Sequence, residues 1–367
     1  MFAGGEANLG VYKMFADYFN HYLSINGAKN AEYQKTTTTP EGQVVELSFS
    51  EKEEKMNAAL RKEIVRQSGI SDLSGFPLET WASHPTLRWS MFAVVSALVD
   101  MILPDAVTQS VGLFSEVRNI GFGDSAAWDI KPRDLFVVSK AGKGKRTSEM
   151  HKQFNGQVTL IPEARQLTVA VSLYKVLAGK ESLADFVAKV AQAMEVEFAY
   201  DIYNTFATAM DAISNTASTG LRVAGFTVAE FVRLSQTVTA WNGGAKALAV
   251  GTQAAISQIM PSDANYRYDI ASEFVKVGYV KEFQGTSIMV LPQIADLATP
   301  FGLRLSDARI WLVSPAAGKI VKAVIEGSTI ARTDDVNANA NLMQTSTLNK
   351  SWACGIATSA VAGTISL

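Results

Sequence analysis

Few residues of this 367-residue chain are of a type and spacing that could do chemistry. His21, His84 and His151 stand far apart, with no HExxH and no pair at helical spacing, whereas a zinc site or a histidine base needs ring nitrogens brought together by such a pattern. Each is therefore expected to be structural or exposed. Gly142-Lys143-Gly144-Lys145-Arg146-Thr147 has the composition of a phosphate cradle. The spacing fails, because Ser139 stands where the first glycine of GxxxxGK[ST] is needed and Arg146 where the metal-binding hydroxyl is needed. Gly121-Phe122-Gly123 lacks the third glycine of a dinucleotide fingerprint and opens no helix. Asp335, Asn337, Asn339 and Asn341 alternate like the start of a calcium loop, but Ala340 replaces the turn glycine and Ser346 the closing glutamate. On a strand the same alternation makes one polar face, solvated or between subunits. Cys354 has no histidine near it in sequence, and no GxSxG elbow exists. No catalytic residue, metal ligand or cofactor is assigned.

The bulk numbers restrict the remaining classes. Lys plus Arg (33) against Asp plus Glu (35) gives a net charge of −2, too little field to grip a polyanion, so nucleic-acid reading is a poor expectation. Charged residues make up 19%, below the about 25% usual for soluble domains, and 48% of residues are hydrophobic, which together leave surface for protein contacts and argue against disorder. One cysteine excludes a disulfide framework. The first residues carry no basic lead and apolar stretch of a secretory signal, and the apolar run Trp89 to Leu103 is interrupted by Asp100, followed by Pro104, and shorter than the roughly 20 residues of a membrane span. A soluble protein made in the cytoplasm is expected.

The elements follow from periodicity. Tyr12, Phe15, Tyr18, Phe19 and Tyr22 precede Thr36-Thr37-Thr38-Thr39-Pro40, and this opening reads as an arm without a core of its own. Ser50 to Gln67 predicts an amphipathic helix with Met56, Leu60 and Ile64 on one face and Gly69 as its stop. Leu87 to Leu103 predicts an apolar helix ended by Pro104. Asp134 to Val138 and Gln157 to Ile161 read as the strands of a hairpin whose connection, 139–156, far exceeds the two to five residues usual for a hairpin loop, so it projects, with a further β stretch over Gln166 to Leu173. From Glu181 to Ser214, Leu183, Phe186, Val190, Met194, Phe198, Ile202, Phe206, Met210 and Ile213 recur every three or four residues, one stripe along a helix about 50 Å long. Spacings of four and large aromatics disfavour a coiled-coil seam. An α/β region follows: helices over Val228 to Ala240 and Gln253 to Met260, the latter stopped by Pro261, and strands over Ala247 to Gly251 and Ser287 to Leu291. Ala353 to Leu367 reads as terminal β.

Taken in order, arm, projecting hairpin, very long helix, α/β region and closing β segment resemble the major capsid protein of tailed double-stranded DNA bacteriophages, over roughly Ile120 to Leu367. Val158-Thr159-Leu160-Ile161-Pro162, continuing through Leu167-Thr168-Val169-Ala170-Val171-Ser172 to Ser182-Leu183-Ala184-Asp185-Phe186, is similar to that family's passage from extended loop to spine helix. Val277 to Val280 with Phe283 to Val290 resembles its axial strands around a glycine turn. The resemblance implies an α+β fold shared with herpesvirus capsid floors and encapsulins. It divides the chain into an N-terminal arm with helices (1–119), an extended hairpin loop and following strand (120–180), the spine helix of a peripheral domain (181–220), a mixed α/β axial domain (221–325) and a C-terminal return to the peripheral domain (326–367). It implies a structural, non-enzymatic protein that self-assembles as hexamers and pentamers of an icosahedral shell around double-stranded DNA, a virion component assembled in the host cytoplasm. Portal, scaffold or decoration proteins are further partners, and no membrane is implied. Lys140, Lys143, Lys145 and Arg146 at the hairpin tip would then meet acidic patches of a neighbour, the alternative being a solvated loop. Some family members join a hairpin lysine to a peripheral-domain asparagine. Asn337, Asn339 and Asn341 are available here, but no acidic residue follows Asp335, and a cross-link is not expected. An encapsulin-like compartment and, from another class, a soluble α/β enzyme are the alternatives.

Overall fold

The computed structural model of the chain describes residues 6–25, 36–38, 44–70, 84–112, 115–130, 155–171, 175, 180–214, 220–260, 277–296, 299–333 and 344–367. The strand expected over 134–138, the tip residues Lys140, Lys143, Lys145 and Arg146, His151, and the 335–341 alternation lie outside the described residues.

Three helices open the fold: α1 (Glu6–Ile25), α2 (Phe49–Ser68) and α3 (Pro85–Val111). Between the first two, β1 (Thr36–Thr38) and β2 (Val44–Glu46) form a short antiparallel ribbon. In contrast to the arm expected here, α1 lies on the chain's own body. Phe15, Tyr18 and Phe19 are buried in the main core with Met56, Leu60 and Ile64 of α2, and Tyr18 stacks on Phe49 at 5.2 Å. α2 begins at a reciprocal cap in which the Glu51 amide donates to Ser48 Oγ and the Ser48 amide to the Glu51 carboxylate, and it stops at Gly69, whose φ of 72° suits a residue without Cβ.

α3 does not stop at Pro104 but continues to Val111. A proline forfeits its own hydrogen bond to the fourth residue back, and the tightly packed turns before it, Leu87 through Leu103, hold the helix across that loss. By length and composition Pro85–Leu103, with a mean hydropathy of 1.5, is long and apolar enough to cross a membrane, against the sequence expectation. Within the fold 61% of that window is buried, and Met91, Val95, Leu98 and Val99 belong to the core.

A four-stranded sheet packs on α3. β3 (Ser115–Ile120) runs parallel to β14 (Val321–Thr333), which pairs antiparallel with β15 (Gln344–Ile356), and β15 with β6 (Glu163–Val171). Its neighbour is a two-stranded ribbon of β4 (Ala126–Ile130) and β5 (Gly156–Leu160), with Ala126 opposite Leu160. The expected return strand at 157–161 therefore exists, over 156–160, and among the described residues it pairs with 126–130. Trp128 is buried with Val324 and Ala357, and Val158 and Leu160 of the paired strand pack against the same cluster.

The long helix α4 (Leu183–Ser214) follows. Its first amides are met by Ser182 Oγ, which accepts from Asp185 N, and by Asn57 Oδ1 of α2, which accepts from Ala184 N at 2.9 Å. Beyond it a six-stranded sheet has the order β7 (Arg222–Ala224), β16 (Gly363–Ser366), β13 (Arg309–Val313), β8 (Leu248–Thr252), β10 (Thr286–Leu291), β9 (Glu282–Phe283). α5 (Val228–Trp241) covers one face together with the short α6 (Gln253–Ile256), which ends well before Pro261 as its last residues go into turns. Ile310 and Leu312 face α5, and Trp311 and Val313 face α4, so β13 is apolar throughout because both faces are covered. β9 and β10 join through Gln284 (φ 50°) and Gly285 (φ 74°), two left-handed residues of the kind a tight hairpin needs. The last strand, β16, leaves the β14–β15 sheet and inserts between β7 and β13. At Gly363 a Cβ would stand 2.6 Å from Leu234 Cδ1, so close packing of α5 on this strand needs glycine.

Candidate assembly surfaces

The groups with chemical potential are withdrawn from it. Burial, with the Asp201 charge adding to it, pushes the Cys354 thiol up to about 12, so it is no nucleophile at neutral pH. His21 is buried edge-on to Phe49, and His84 Nδ1 is bonded to Thr86 Oγ1 at 2.7 Å. Among the described residues no three His, Cys, Asp or Glu side chains converge on a metal position. The Gly121–Gly123 loop is a tight turn pinned by its own backbone, with Gly123 N donating to Glu326 Oε1 at 2.6 Å.

Polar side chains instead fasten elements to one another. Asp100, the lone charge in the apolar stretch of α3, accepts from Lys350 Nζ (2.6 Å), Thr329 N (2.8 Å) and Thr329 Oγ1 (2.5 Å), while the same ammonium donates to Gly327 O (2.7 Å). This group sits on the irregularity of β14 between Glu326 and Ile330, where ladder bonds are lost and the backbone needs other partners. Lys350 is only 4% exposed, so the cation of this pair is internal while Asp100 keeps some access to solvent. Glu116 of β3 gathers Lys322 Nζ (2.6 Å), Arg118 Nη2 (2.8 Å) and Trp128 Nε1 (3.2 Å). The Lys322 bond, foremost, with help from Arg118 and Trp128, outweighs burial and holds its carboxyl down to about 2. Arg304 binds Glu197 of α4 at 2.7 Å and Asp296 at 3.2 Å and lies 4.2 Å above the Tyr200 ring. It roots a small hairpin, β11 (Ala295–Asp296) with β12 (Gly302–Leu303), on the long helix. Arg309 of β13 pairs with Asp211 farther along α4.

Of the helix stripe, Leu183, Val190, Met194, Phe198, Ile202, Phe206 and Met210 are buried within the chain's own core and Phe186 is half-buried. The stripe meets both sheets, Phe198 against Trp352 and Phe206 against Trp311, each with ring centroids 5.3 Å apart. It is consequently not a surface for other molecules. Besides Trp89 and Met101 on α3 and Ile330 on β14, exposed large apolar side chains lie at loop tips and element ends. Phe301 is fully exposed at the end of the Arg304-rooted hairpin, held at φ 59°, a left-handed conformation unusual for a bulky residue, with Leu303 exposed beside it. Phe122 and Ile161 are exposed at one end of the β4–β5 ribbon, since Ala126 and Leu160 are opposite each other there. Trp241 projects from the end of α5. Sequence spacing did not point to Phe301 or Arg304. Asp100 did leave a signal, because a charge inside an apolar helix requires a partner.

Residues 32–352 match the family described as "SPbeta prophage-derived putative capsid protein YonB". The chain belongs to this capsid-protein family. It is thus a structural protein of a capsid shell, and loop-tip apolar groups are features of a subunit that meets other subunits. No curated protein matches it. Among solved structures, the capsid protein is similar to one in the asymmetric unit of the bacteriophage PhiM1 mature capsid, with 10% identity and a TM-score of 0.46 over 69% of this chain and 85% of that chain. It is also similar to the capsid of a native GTA particle, with 12% identity and a TM-score of 0.47 over 71% and 90%. A virus-like particle from Pyrococcus furiosus gives 10% identity and a TM-score of 0.41 over 72% and 96%.

Proposed function

We propose that the protein assembles in the host cytoplasm as hexamers and pentamers of an icosahedral shell that encloses double-stranded DNA. The observation that carries this reading is the family match over 32–352, nearly the whole chain. The exposed Phe122, Ile161, Trp241, Phe301 and Leu303 support it, being spread over several tips, as suits a subunit with many weak neighbours rather than one strong partner. A net charge of −2 supports a container that does not hold its DNA by phosphate contacts, each of which would add salt-dependent affinity. In this reading residues 221–325 gather around the symmetry axes. The hairpin of 120–180 reaches a neighbour with Lys140, Lys143, Lys145 and Arg146, and 181–220 stiffens a peripheral domain that 326–367 completes. Residues 1–119 serve contacts at the subunit edge, and portal, scaffold or decoration proteins are the remaining partners.

Size-exclusion chromatography and negative-stain microscopy of the purified protein test the reading. Closed hollow particles tens of nanometres across are expected, and nuclease-resistant DNA is expected in particles taken from infected or induced cells. A persistently monomeric chain would overturn the shell, and particles holding protein cargo in place of DNA would overturn the phage assignment.

A further inference from the structure

Between α4 and the segment that leaves β10 lies a cavity of about 160 Å³, walled by Glu195, Ala199 and Tyr203 from the helix and by Pro292, Ile294 and Ala295 from the segment. Positions 195, 199 and 203 are four apart and share one helix face, and the alanine in the middle leaves open the room a larger side chain would fill. Two polar groups in these walls lack protein partners among the described residues. The Tyr203 hydroxyl is buried, its residue 5% exposed, and makes no hydrogen bond. Glu195 is half-buried, has no hydrogen bond or ion pair among the described residues, and loss of solvent around it pushes its carboxyl up to about 7. Arg304 is already shared between Glu197 and Asp296 and lies over Tyr200, so its charge is engaged elsewhere.

We propose that this cavity binds a primary alkylammonium group, with the ammonium donating to the Glu195 carboxylate and the methylenes against Ala199, Pro292 and Ile294. A cation is the ligand that pairs a half-buried carboxylate left without a protein partner, whereas an anion meets repulsion and a purely apolar ligand would leave both polar groups unmatched. The volume of about 160 Å³ is room for a short aliphatic chain. The Tyr203 oxygen, along the same face, accepts from the second ammonium of a short diamine. The amine has two possible sources, a free alkyl diamine or a lysine side chain of a second copy.

Thermal unfolding of the full chain at pH 8 with 1,4-diaminobutane is the direct test, with 1,4-butanediol and sodium chloride of equal ionic strength as controls, since a ligand that binds only the folded state raises Tm. The diamine is expected to raise Tm at millimolar concentration and the controls to leave it unchanged. Glu195→Gln and the cavity-filling Ala199→Leu abolish the shift, and Tyr203→Phe weakens the diamine several-fold while sparing butylamine. The second arm is carbodiimide coupling on particles assembled from isotopically distinguished copies. A Glu195–lysine link between copies assigns the amine to a neighbour, and a diamine response without that link assigns it to a free amine. An undiminished shift in Glu195→Gln, or the absence of both the shift and the link, overturns the proposal.

Discussion

Glu195 and Glu116 lie at opposite ends of the carboxyl range, and their effects on stability have opposite signs. The folded Glu195 titrates at about 7, its ordinary value being 4.5. Between those two values the folded state holds the proton and the unfolded state does not, so its contribution to stability falls as pH rises through that window and stays low above it. Glu195→Gln is expected to match the wild type at pH 4.5 and exceed it at pH 8 by on the order of 3 kcal/mol in urea unfolding. Equal stabilities at pH 8 would show that the carboxyl is better solvated than its surroundings indicate. Glu116 is depressed, so its contribution is complete above about 4.5 and is lost as pH falls toward 2. Glu116→Gln should lower stability at neutral pH, where the carboxylate's contribution is complete, and leave it little changed near pH 2, so that the acid limb flattens. Lys350→Met leaves Asp100 without its cation beside the β14 irregularity. The expected loss is about 2–3 kcal/mol, below the ~3–5 of a fully enclosed pair because Asp100 keeps some solvent access.

At the scale of elements, α4 is the joint of the molecule. Its period of three to four places Phe198 and Phe206 two turns apart on one face, and each reaches the tryptophan of a different sheet. Burial of both aromatic pairs makes the helix a shared core rather than a separate rod. Phe206→Ala should cost about 3–5 kcal/mol. Because the helix serves both sheets, hydrogen exchange in β13 and in β15 should accelerate together. Acceleration confined to β13 would mean that the two sheets unfold independently.

On the scale of the whole molecule, the chain buries its aromatics well and yet displays Phe301 on a rooted hairpin and Phe122 and Ile161 at the end of a ribbon. Exposed aromatics on small, braced projections contribute nothing to the isolated subunit. Phe301→Ser is therefore expected to leave Tm unchanged while lowering particle yield in microscopy. Lys143→Glu with Lys145→Glu tests the hairpin tip in the same way, with a folded subunit and impaired assembly expected; normal yield would make that tip a solvated loop.

Local period was legible from the sequence alone. The helices over 183–214 and 228–241, the stop at Gly69 and the strands at 248–252 and 286–291 follow from spacing, caps and β-branched runs within one short window. Tyr12, Phe15, Phe19 and Tyr22 carry a helical spacing as well, which the Thr36–Thr39 run beside them obscures. The chain of Asp100, Thr329 and Lys350, the pairing of 126–130 with 156–160, the passage of α3 through Pro104 and the isolation of Glu195 were decided only by the tertiary structure. Spacing along a chain sets which face a side chain occupies. What stands opposite that face depends on segments up to hundreds of residues away, and the free energy of a buried charge, an exposed phenyl ring or a paired strand is set by that opposite partner.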